Sequence, residues 1–358
     1  MKKILVGVLI LIFIAGGISF LRNRQANQTL GTQPLSQNTS NGTPLVVVQD
    51  LNIPWEVAFL PSGEMLVTER PGNLVQIGKD KSEIVVQGVK HVGEGGLLGM
   101  ALHPKFNENR LVYLYSTTQG GGTYFNRVER YKLEEGQLLE RKKVVSGIRG
   151  SANHDGGRII FGPDGMLYIG TGDAESPILA QDTNSLNGKI LRVRDDGSIP
   201  EDNPFGNAVW AFGFRNVQGL AFDDKGQLWA TDHGPSGAQT GDDELNKVEK
   251  GKNYGWPAIR GDQTKEGMVT PVINSGRKTW APSGMAFESG KLYFAGLAGQ
   301  AVYTYNPQTG SLETKFENQF GRLRTVAIGK DEELYVLTSN TDGRGTPSSD
   351  DDKLIKIW

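Results

Sequence analysis

Six segments of the chain repeat one pattern, in which a short apolar strand, a turn and a second apolar strand follow one another. These segments are VAFLPSGEMLVTE, MALHPKFNENRLVYLY, RIIFGPDGMLYIG, GLAFDDKGQLWAT, GMAFESGKLYFAG and TVAIGKDEELYVL. One equivalent apolar position in each recurs at spacings of 43, 59, 61, 65 and 41 residues, namely Phe59, Leu102, Phe161, Phe222, Phe287 and Ile328. A single hairpin leaves one apolar face uncovered, so such units must pack against one another.

The repeat length indicates what each unit is. Spacings above 40 residues leave room for about four strands per unit, which is the size of a propeller blade. Gly63, Gly165, Gly226 and Gly290 lie at the hairpin turns, where a positive φ is needed. A β-sandwich would explain the hairpins but not six copies of one motif. The repeat therefore predicts an all-β fold, a six-bladed β-propeller over residues 44–358.

An apolar run precedes the repeats. Lys2 and Lys3 stand before the segment ILVGVLILIFIAGGISFL, which is near the minimum length for crossing a bilayer. Residues 1–24 are therefore predicted to form a hydrophobic helix that acts as a signal peptide or membrane anchor, with an uncleaved anchor favoured. Residues 25–43 are polar and predict a flexible linker. The predicted location is extracytoplasmic, periplasmic or at the cell surface, with membrane contact through the N-terminal segment only.

Composition excludes several classes of protein. The chain has no Cys, which rules out disulfides, thiolate metal sites and cysteine nucleophiles. Its 38 Lys and Arg residues nearly balance 40 Asp and Glu residues, so no nucleic-acid partner is expected.

Unequal spacing between the repeats predicts long functional loops, between Tyr115 and Arg158 and between Asp173 and Val217. His154 lies in the first of these insertions, within SANHDGGR, at the entry to the third hairpin. A neutral imidazole there could take a hydroxyl proton near pH 7. The alternative is a turn histidine without a chemical role.

The segment from Thr231 to Pro257 is rich in oxygen ligands. It combines Gly234 and Pro235 with the acidic run Asp242, Asp243 and Glu244. Calcium takes six to eight oxygens from carboxylates and backbone carbonyls in irregular loops. The alternative is a solvated surface turn, and the spacing is not that of an EF-hand.

Arginines precede two other hairpins. Arg215 and Asn216 stand before the fourth hairpin, and Arg322 and Arg324 stand before the sixth. Residues two apart in a strand point the same way, so the last two predict a cationic patch suited to a ligand with several carboxylates. A pair of surface arginines is the alternative. Because all these residues enter hairpins at the same relative position, a propeller would bring them together at one end.

Several longer motifs match a known family. They are LNIPWEVAFLPSGEMLVTERPG, GEGGLLGMALHPKF, NHDGGRIIFGPDGMLYIGTGD, GFRNVQGLAF, GDDELNKVEKGKNYGWP and GRLRTVAIGKDEELYVLT. Over residues 44–358 the chain resembles the soluble quinoprotein aldose (glucose/sorbosone) dehydrogenases. That resemblance implies a six-bladed propeller that uses pyrroloquinoline quinone (PQQ) and calcium to oxidise the anomeric carbon of aldoses to lactones.

The resemblance also implies roles for individual residues. His154 matches the catalytic base, Asp173 the carboxylate that orients it, and Arg215 the group that stabilises charge on the reducing cofactor. Contacts to the cofactor are implied for Glu94, Arg215, Asn216, Arg322 and Arg324. Calcium ligation is implied for Gly234 and Pro235 at the quinone, and for Asp243, Glu244 and Tyr254 at a separate structural site.

The chain departs from the family pattern at two positions beside the cofactor. Glu94 stands where the glucose enzymes carry Gln, and Ala298 stands where a cofactor-binding Lys is expected. Loss of that Lys predicts weaker cofactor affinity, by about 1.5–3 kcal/mol.

The resemblance implies an aldose substrate and an external electron acceptor, and the protein is expected to be a monomer or homodimer. Two other functions stay open from the residues: a calcium-dependent lactonase or other hydrolase, and a non-catalytic propeller that binds carbohydrate or protein.

Overall fold

The computed structural model describes residues 43–235 and 241–358, which form 24 β-strands in six four-stranded antiparallel sheets. The strands of the first three blades are as follows. Blade 1 contains β2 (Pro54–Phe59), β3 (Met65–Glu69), β4 (Asn73–Ile77) and β5 (Lys81–Val85). Blade 2 contains β6 (Leu97–Leu102), β7 (Leu111–Gly120), β8 (Thr123–Glu134) and β9 (Gln137–Arg149). Blade 3 contains β10 (Ile159–Phe161), β11 (Leu167–Gly170), β12 (Lys189–Val193) and β13 (Val209–Phe212).

The remaining three blades follow in chain order. Blade 4 contains β14 (Val217–Phe222), β15 (Leu228–Asp232), β16 (Glu244–Val248) and β17 (Ile273–Asn274). Blade 5 contains β18 (Pro282–Glu288), β19 (Lys291–Gly296), β20 (Ala301–Asn306) and β21 (Ser311–Lys315). Blade 6 contains β22 (Leu323–Ile328), β23 (Leu334–Thr338), β24 (Leu354–Lys356) and β1 (Leu45–Val48). In the described residues, helix is limited to the short α1 (Phe106–Asn109) and a 3₁₀ turn, η1 (Pro177–Ala180).

The ring of sheets is closed by the first and last strands that the structure describes, β1 and β24, which lie in the same sheet. Strand β1 is the outer strand of blade 6 and pairs antiparallel with β24, Leu45 lying opposite Lys356. The first strand of each blade contacts the first strand of the next blade, and β22 contacts β2. The predicted six-bladed β-propeller is therefore confirmed.

Apolar packing between neighbouring blades holds the ring together. In the part of the chain that the structure describes, six buried hydrophobic clusters each join at least two adjacent sheets. Val67 of blade 1 and Leu337 of blade 6, for example, belong to one cluster and are fully buried. This arrangement is the physical reason that the repeat occurs in six copies, since each hairpin covers the apolar face of its neighbour.

The repeat positions predicted from the sequence lie where the pattern requires. Five of the six equivalent apolar residues end the first strand of their blade, and Phe287 is one residue from the end of β18. The four predicted turn glycines have φ between 74° and 93°, a region that side chains with a Cβ rarely adopt.

The expectation of a long functional loop between Tyr115 and Arg158 is wrong for most of that interval. The extra residues lengthen β7, β8 and β9 to 10, 12 and 13 residues, so they extend the sheet of blade 2. Only residues 150–158 form an irregular segment, and this segment carries His154. The interval from Asp173 to Val217 does contain long connections, around η1, β12 and β13.

The predicted N-terminal helix and most of the predicted linker, residues 1–42, lie outside the described residues. Between residues 43 and 235 and from 241 onwards, no helix is long and apolar enough to cross a bilayer.

Candidate active site

One end of the propeller gathers the residues predicted to carry chemistry. His154, Asn216 and Arg322 lie just before the first strands of blades 3, 4 and 6, while Asp173 and Asp232 lie at or after the end of a second strand. First strands begin and second strands end at the same edge of the ring. The predicted convergence is therefore observed, on the opposite side from the hairpin turns.

His154 and Asp173 form a hydrogen-bonded pair. Nδ1 of His154 lies 2.8 Å from Oδ1 of Asp173. The imidazole keeps 18% of its side chain exposed, whereas the carboxylate is fully buried. The indole N–H of Trp256 donates to Oδ2 of Asp173 over 2.9 Å, and the backbone N–H of Glu175 donates to Oδ1 over 2.9 Å. The carboxylate is thus fixed on both oxygens and orients the imidazole.

Arg215 contacts the other ring nitrogen of His154. Its Nη2 lies 2.7 Å from Nε2 of His154. A guanidinium can only donate, so Nε2 must accept, and the assigned form is a neutral imidazole with its proton on Nδ1. The Arg215 guanidinium also lies 5.6 Å from the ring centre of Trp256. Trp256 therefore supports both the orienting carboxylate and the cation beside the base.

The backbone at His154 adopts an uncommon conformation. Its φ is +61°, which few residues other than glycine adopt without support from their surroundings. Its carbonyl accepts the N–H of Ala174 over 3.1 Å, and its own N–H donates to Oε2 of Glu94 over 3.0 Å. The backbone of Gly172 approaches so closely that a Cβ there would lie 1.9 Å from the His154 carbonyl oxygen. Glycine is required at position 172 to let the two segments meet.

Glu94, which precedes blade 2, is bonded to residues of three other blades. Besides the His154 N–H, its carboxylate accepts from Asn216 Nδ2 over 3.4 Å and from Arg344 Nη1 over 2.6 Å. Burial by itself raises the pKa of Glu94, but the charges of Arg344 and His233 and the hydrogen bonds from Arg344 and the His154 N–H outweigh it and lower the pKa to about 2. Glu94 is therefore an anion at every pH at which the protein would work.

Asp232 fixes the segment that carries Arg215 and Asn216. Its carboxylate accepts the backbone N–H of Arg215 over 2.8 Å and that of Asn216 over 2.6 Å. The Asn216 side chain in turn accepts the N–H of Gly156 over 2.9 Å, beside His154. Burial raises the pKa of Asp232 to about 6 despite those hydrogen bonds.

Arg322 and Arg324 lie on one side, as predicted, and they share a carboxylate that the sequence reasoning did not identify. Asp342 Oδ2 is 3.0 Å from Arg322 Nη2 and 3.9 Å from Arg324 Nη2. Both arginines are buried, so the alternative of two surface arginines is wrong. Burial lowers the pKa of Arg324 to about 9. Arg70, which follows β3, lies near the Asp342 carboxylate and donates to the carbonyl of Gly93.

Arg70, Arg322 and Arg324 form an arginine group, the arginine side of the site, which fits an anionic ligand with several carboxylates. Nε of Arg70 and Nε of Arg324 are buried and have no hydrogen-bond partner. Leaving a charged donor unpaired in the interior is costly. Among the described residues, Asp342 is the carboxylate that pairs with both Arg322 and Arg324, and their other acceptors are neutral oxygens of Leu297, Gln218 and Ser283. The donor set therefore matches the chemistry of a polycarboxylate cofactor.

The proposed calcium ligands fall into two groups. Near Arg215, the backbone N–H of Gly234 donates to Oδ1 of Asp243 over 2.8 Å. Oδ2 of Asp243 accepts from Thr279 Oγ1 and from the N–H groups of Trp280 and Ala281 over 2.6–3.0 Å. The Asp243 side chain thus braces the loop that enters blade 5, and its buried position excludes a solvated turn.

Glu244 points to different partners. Its carboxylate accepts the N–H of Gly261 and the side chain of Asn246, each over 3.1 Å. Burial raises the pKa of Glu244 to about 8, and the charges of Asp232 and Asp242 add to that rise. The hydroxyl of Tyr254 donates to the Lys247 carbonyl over 2.7 Å, and the hydroxyl oxygen of Tyr254 accepts the N–H of Glu249. Among the described residues, no group of three or more acidic or histidine side chains is spaced to hold a metal.

Pro235 follows Gly234 and is the last described residue before position 241, so Gly234 and Pro235 bound the described part of this loop.

Ala298 lies exposed after β19, and its N–H donates to the Trp280 carbonyl over 3.1 Å. Its side chain offers no charge to a ligand, as the sequence indicated.

Sequence reasoning missed four residues of the site, namely Arg70, Trp256, Asp342 and Arg344. Two of them stand in motifs that were recognised, TERPG and NYGWP. For Arg70 a signal existed, because it follows the second strand of its blade, as Asp173 does in blade 3. The other two lie in the connection between β23 and β24, which the repeat pattern does not reach.

Comparison with known proteins assigns the family. The family model described as Glucose / Sorbosone dehydrogenase matches residues 51–350. The chain belongs to this family. It is 34% identical to the aldose sugar dehydrogenase YliI of Escherichia coli over 83% of this chain and 90% of that protein.

Solved structures of the family are similar in fold. The PQQ-bound form of aldose sugar dehydrogenase from Streptomyces coelicolor matches with a TM-score of 0.81 and 38% identity, over 88% of this chain and 97% of that one. A putative glucose dehydrogenase from Thermus thermophilus matches with a TM-score of 0.83 and 41% identity, over 88% and 99%. The Escherichia coli and Streptomyces coelicolor relatives of this glucose/sorbosone dehydrogenase family member are thus named as aldose sugar dehydrogenases, and the second was solved with PQQ bound.

Proposed function

We propose that the protein is a PQQ- and calcium-dependent aldose dehydrogenase that oxidises the anomeric C1 hydroxyl of aldose sugars to lactones. The observation that carries this proposal is the placement of the His154–Asp173 pair at the same end of the ring as a buried arginine group with unpaired N–H donors. A base able to take a hydroxyl proton and a cationic cradle for an anionic cofactor are what this reaction requires. The PQQ-bound relative from Streptomyces coelicolor supports the choice of cofactor.

His154 takes the proton of the C1 hydroxyl at Nε2. That atom is the acceptor of the neutral ring, because Nδ1 carries its proton toward Asp173. In the structure Nε2 receives a hydrogen bond from Arg215, so binding of the sugar hydroxyl must replace that contact. When the proton leaves, His154 becomes an imidazolium that the Asp173 carboxylate stabilises.

The remaining step is loss of a hydride from C1. Removal of the hydroxyl proton and of the C1 hydride turns the cyclic hemiacetal into a lactone, with both electrons leaving on the hydride. PQQ, when bound, supplies the acceptor for that hydride at a quinone carbon. Arg215 supplies a fixed positive charge where negative charge develops, a form of stabilisation that needs no rearrangement.

The cofactor contacts are assigned to residues on four blades. Arg322 and Arg324 would hold the carboxylates of PQQ by paired N–H donors, and Asn216 would donate through its amide. Glu94 lies beside them as an acceptor. Arg70 joins this set because its buried guanidinium lies with theirs and has an unpaired Nε.

Calcium is assigned to two places. The carbonyls of Gly234 and Pro235 would hold the ion, which would supply Lewis-acid chemistry to the bound cofactor. Glu244 is proposed at a separate structural site, whereas Asp243 and Tyr254, which the resemblance implies for the same site, bond to Gly234 and Lys247 instead. Burial and the charges of Asp232 and Asp242 raise the pKa of Glu244 to about 8, so a calcium ion bound there would favour its ionised form.

The proposal includes the setting in which the enzyme works. We place the protein outside the cytoplasm, tethered by the N-terminal segment, where an external electron acceptor reoxidises the cofactor. The oligomeric state is proposed to be a monomer or homodimer.

The test is an assay of the purified protein with calcium, PQQ, an artificial electron acceptor and a panel of aldoses. The expected result is lactone formation that requires calcium and PQQ together. Lactone hydrolysis with calcium alone would instead establish a hydrolase. Cofactor binding without turnover of any aldose would establish a binding protein.

A further inference from the structure

The connection between β23 and β24, residues 339–353, crosses from blade 6 toward blades 2 and 3. Its residue Arg344 makes an ion pair with Glu94, Nη1 to Oε1 2.6 Å. Nη2 of the same side chain donates to Oδ1 of Asn153 over 3.1 Å. Glu94 precedes the first strand of blade 2 and Asn153 precedes that of blade 3. One guanidinium therefore joins three blades at the end of the ring that carries the candidate active site.

The loop holds Arg344 in place from both sides. On its own side, the N–H of Arg344 donates to Oδ1 of Asp342 over 2.9 Å, and Oδ2 of Asp342 binds Arg322. Farther along, the buried carboxylate of Asp352 accepts the N–H groups of Asn340 and Thr341. Arg344 is 53% exposed, yet its backbone is fixed by bonds to buried groups. Its contact with Glu94 is thus built into the loop.

Glu94 connects Arg344 to the backbone of His154 through its two carboxylate oxygens. The oxygen that faces away from Arg344, Oε2, accepts the backbone N–H of His154 over 3.0 Å. His154 has a φ of +61°, a conformation that persists only when its neighbours enforce it. Because Arg344 binds Oε1 with one nitrogen and Asn153 with the other, the carboxylate is held so that Oε2 can accept that N–H.

We propose that Arg344 is a positioning residue for the base, which fixes the Glu94 carboxylate and through it the backbone of His154. This inference rests on the proposed function, since it assigns His154 the role of base. A partly buried carboxylate next to the site of an anionic cofactor needs a counter-ion, which a neutral amide at the same position would not. Arg344 provides that counter-ion, so the two residues act as one unit.

The first test uses the cofactor-free protein and does not depend on turnover. The chain has four histidines, so protein labelled with ¹⁵N only at His gives four backbone amide signals in the full sequence. Arg344→Gln is expected to shift the His154 amide signal more than the other three. The matched control is Lys353→Gln, which removes one positive charge from the same loop, where Lys353 pairs with Asp350 over 2.9 Å. The proposal is overturned if the His154 signal moves no more in Arg344→Gln than in this control.

The second test is a double-mutant cycle in kcat/KM. Arg344→Gln is expected to lower kcat/KM about tenfold, the factor for one partly exposed charge-assisted hydrogen bond, and Arg344→Lys to recover most of that loss. In the Glu94→Gln background the same Arg344→Gln change should cost less than about twofold, because the carboxylate it serves is gone. An equal loss in both backgrounds would mean that Arg344 acts independently of Glu94 and would overturn the proposal. If no variant and no wild-type protein turns over any aldose, the proposed function fails, while the amide signal still reports on the positioning.

Discussion

Two sides of the candidate active site differ in how completely their polar groups are paired. On the base side, His154, Asp173 and Trp256 form a closed set in which both oxygens of the carboxylate and both nitrogens of the imidazole have partners. On the arginine side, Arg70 and Arg324 keep buried N–H donors without an acceptor. The base side is fully paired within the protein, whereas the arginine side keeps spare cationic donors beside the single carboxylate of Asp342. Changes to the base side should therefore alter rate, and changes to the arginine side should alter cofactor affinity.

The largest expected effect is on the base side. His154→Ala should lower kcat by about 10³-fold, because it removes the group that takes the hydroxyl proton. PQQ affinity, measured by absorbance titration, should change less than about threefold, since the arginine side is intact. A comparable loss of affinity and rate would show that the two sides cannot be separated.

The next effect is on the arginine side. Arg324→Gln should weaken PQQ binding by roughly 10- to 100-fold, as one charged hydrogen bond is lost from a buried site. With saturating PQQ, kcat should fall much less. Arg194→Gln is the matched control, because Arg194 donates to the Ile199 carbonyl after β12, at the opposite end of blade 3. An unchanged PQQ affinity in Arg324→Gln would remove the arginine side from the cofactor site.

A smaller effect should follow from Trp256→Phe. The phenyl ring keeps a surface for Arg215 but loses the indole N–H that donates to Asp173. We expect kcat to fall about tenfold, because one hydrogen bond that fixes the orienting carboxylate is missing. PQQ affinity should stay within about twofold of the wild-type value. A change in affinity alone would place Trp256 with the arginine side.

The smallest effect concerns Glu244, a buried carboxylate whose pKa is raised by burial and by the charges of Asp232 and Asp242. Its pKa is raised to about 8 in the fold, so between its usual pKa and about pH 8 the folded state holds a proton that the unfolded state has lost. The stability of calcium-free protein should therefore fall as pH rises through this range.

Glu244→Gln provides the matching test by thermal unfolding. In calcium-free protein at pH 8 the substitution should raise Tm by a few degrees, because a buried charge no longer has to form. With calcium present it should lower Tm instead, because a ligand is lost. Equal effects with and without calcium would exclude Glu244 from the structural calcium site.

The fold was predictable because the repeat records it directly. Each blade needs a first strand, a turn and a second strand with apolar faces, and Phe59, Phe161 and Phe222 mark the same strand end in three blades. The insertion after Tyr115 was misread as a loop, since length alone does not distinguish a long hairpin from an irregular connection. Strands β8 and β9 bury only part of their residues, so their apolar signal is weak.

The candidate site was predictable where its residues lie in motifs next to the repeat. His154, Asp173 and Arg215 could be placed at one end because each adjoins a strand of known direction. Asp342 and Arg344 could not be placed in this way. They lie in a loop whose path is fixed by the hydrogen bonds of Asp352 and Arg322, which no local sequence pattern records. The side-chain direction of Asp243 was equally hidden. Its neighbour Glu244 is adjacent in sequence but bonds to Gly261, on a different segment.

The most direct measurement of the central claim is a single turnover without an external acceptor. Protein loaded with calcium and one equivalent of PQQ is mixed anaerobically with an aldose, and cofactor absorbance and lactone are followed together. If His154 is the base, we expect one lactone per bound PQQ, formed as the cofactor is reduced, and about 10³-fold slower lactone formation in His154→Ala. Bound PQQ that stays oxidised with every aldose would contradict it, as would lactone formation at an unchanged rate in His154→Ala.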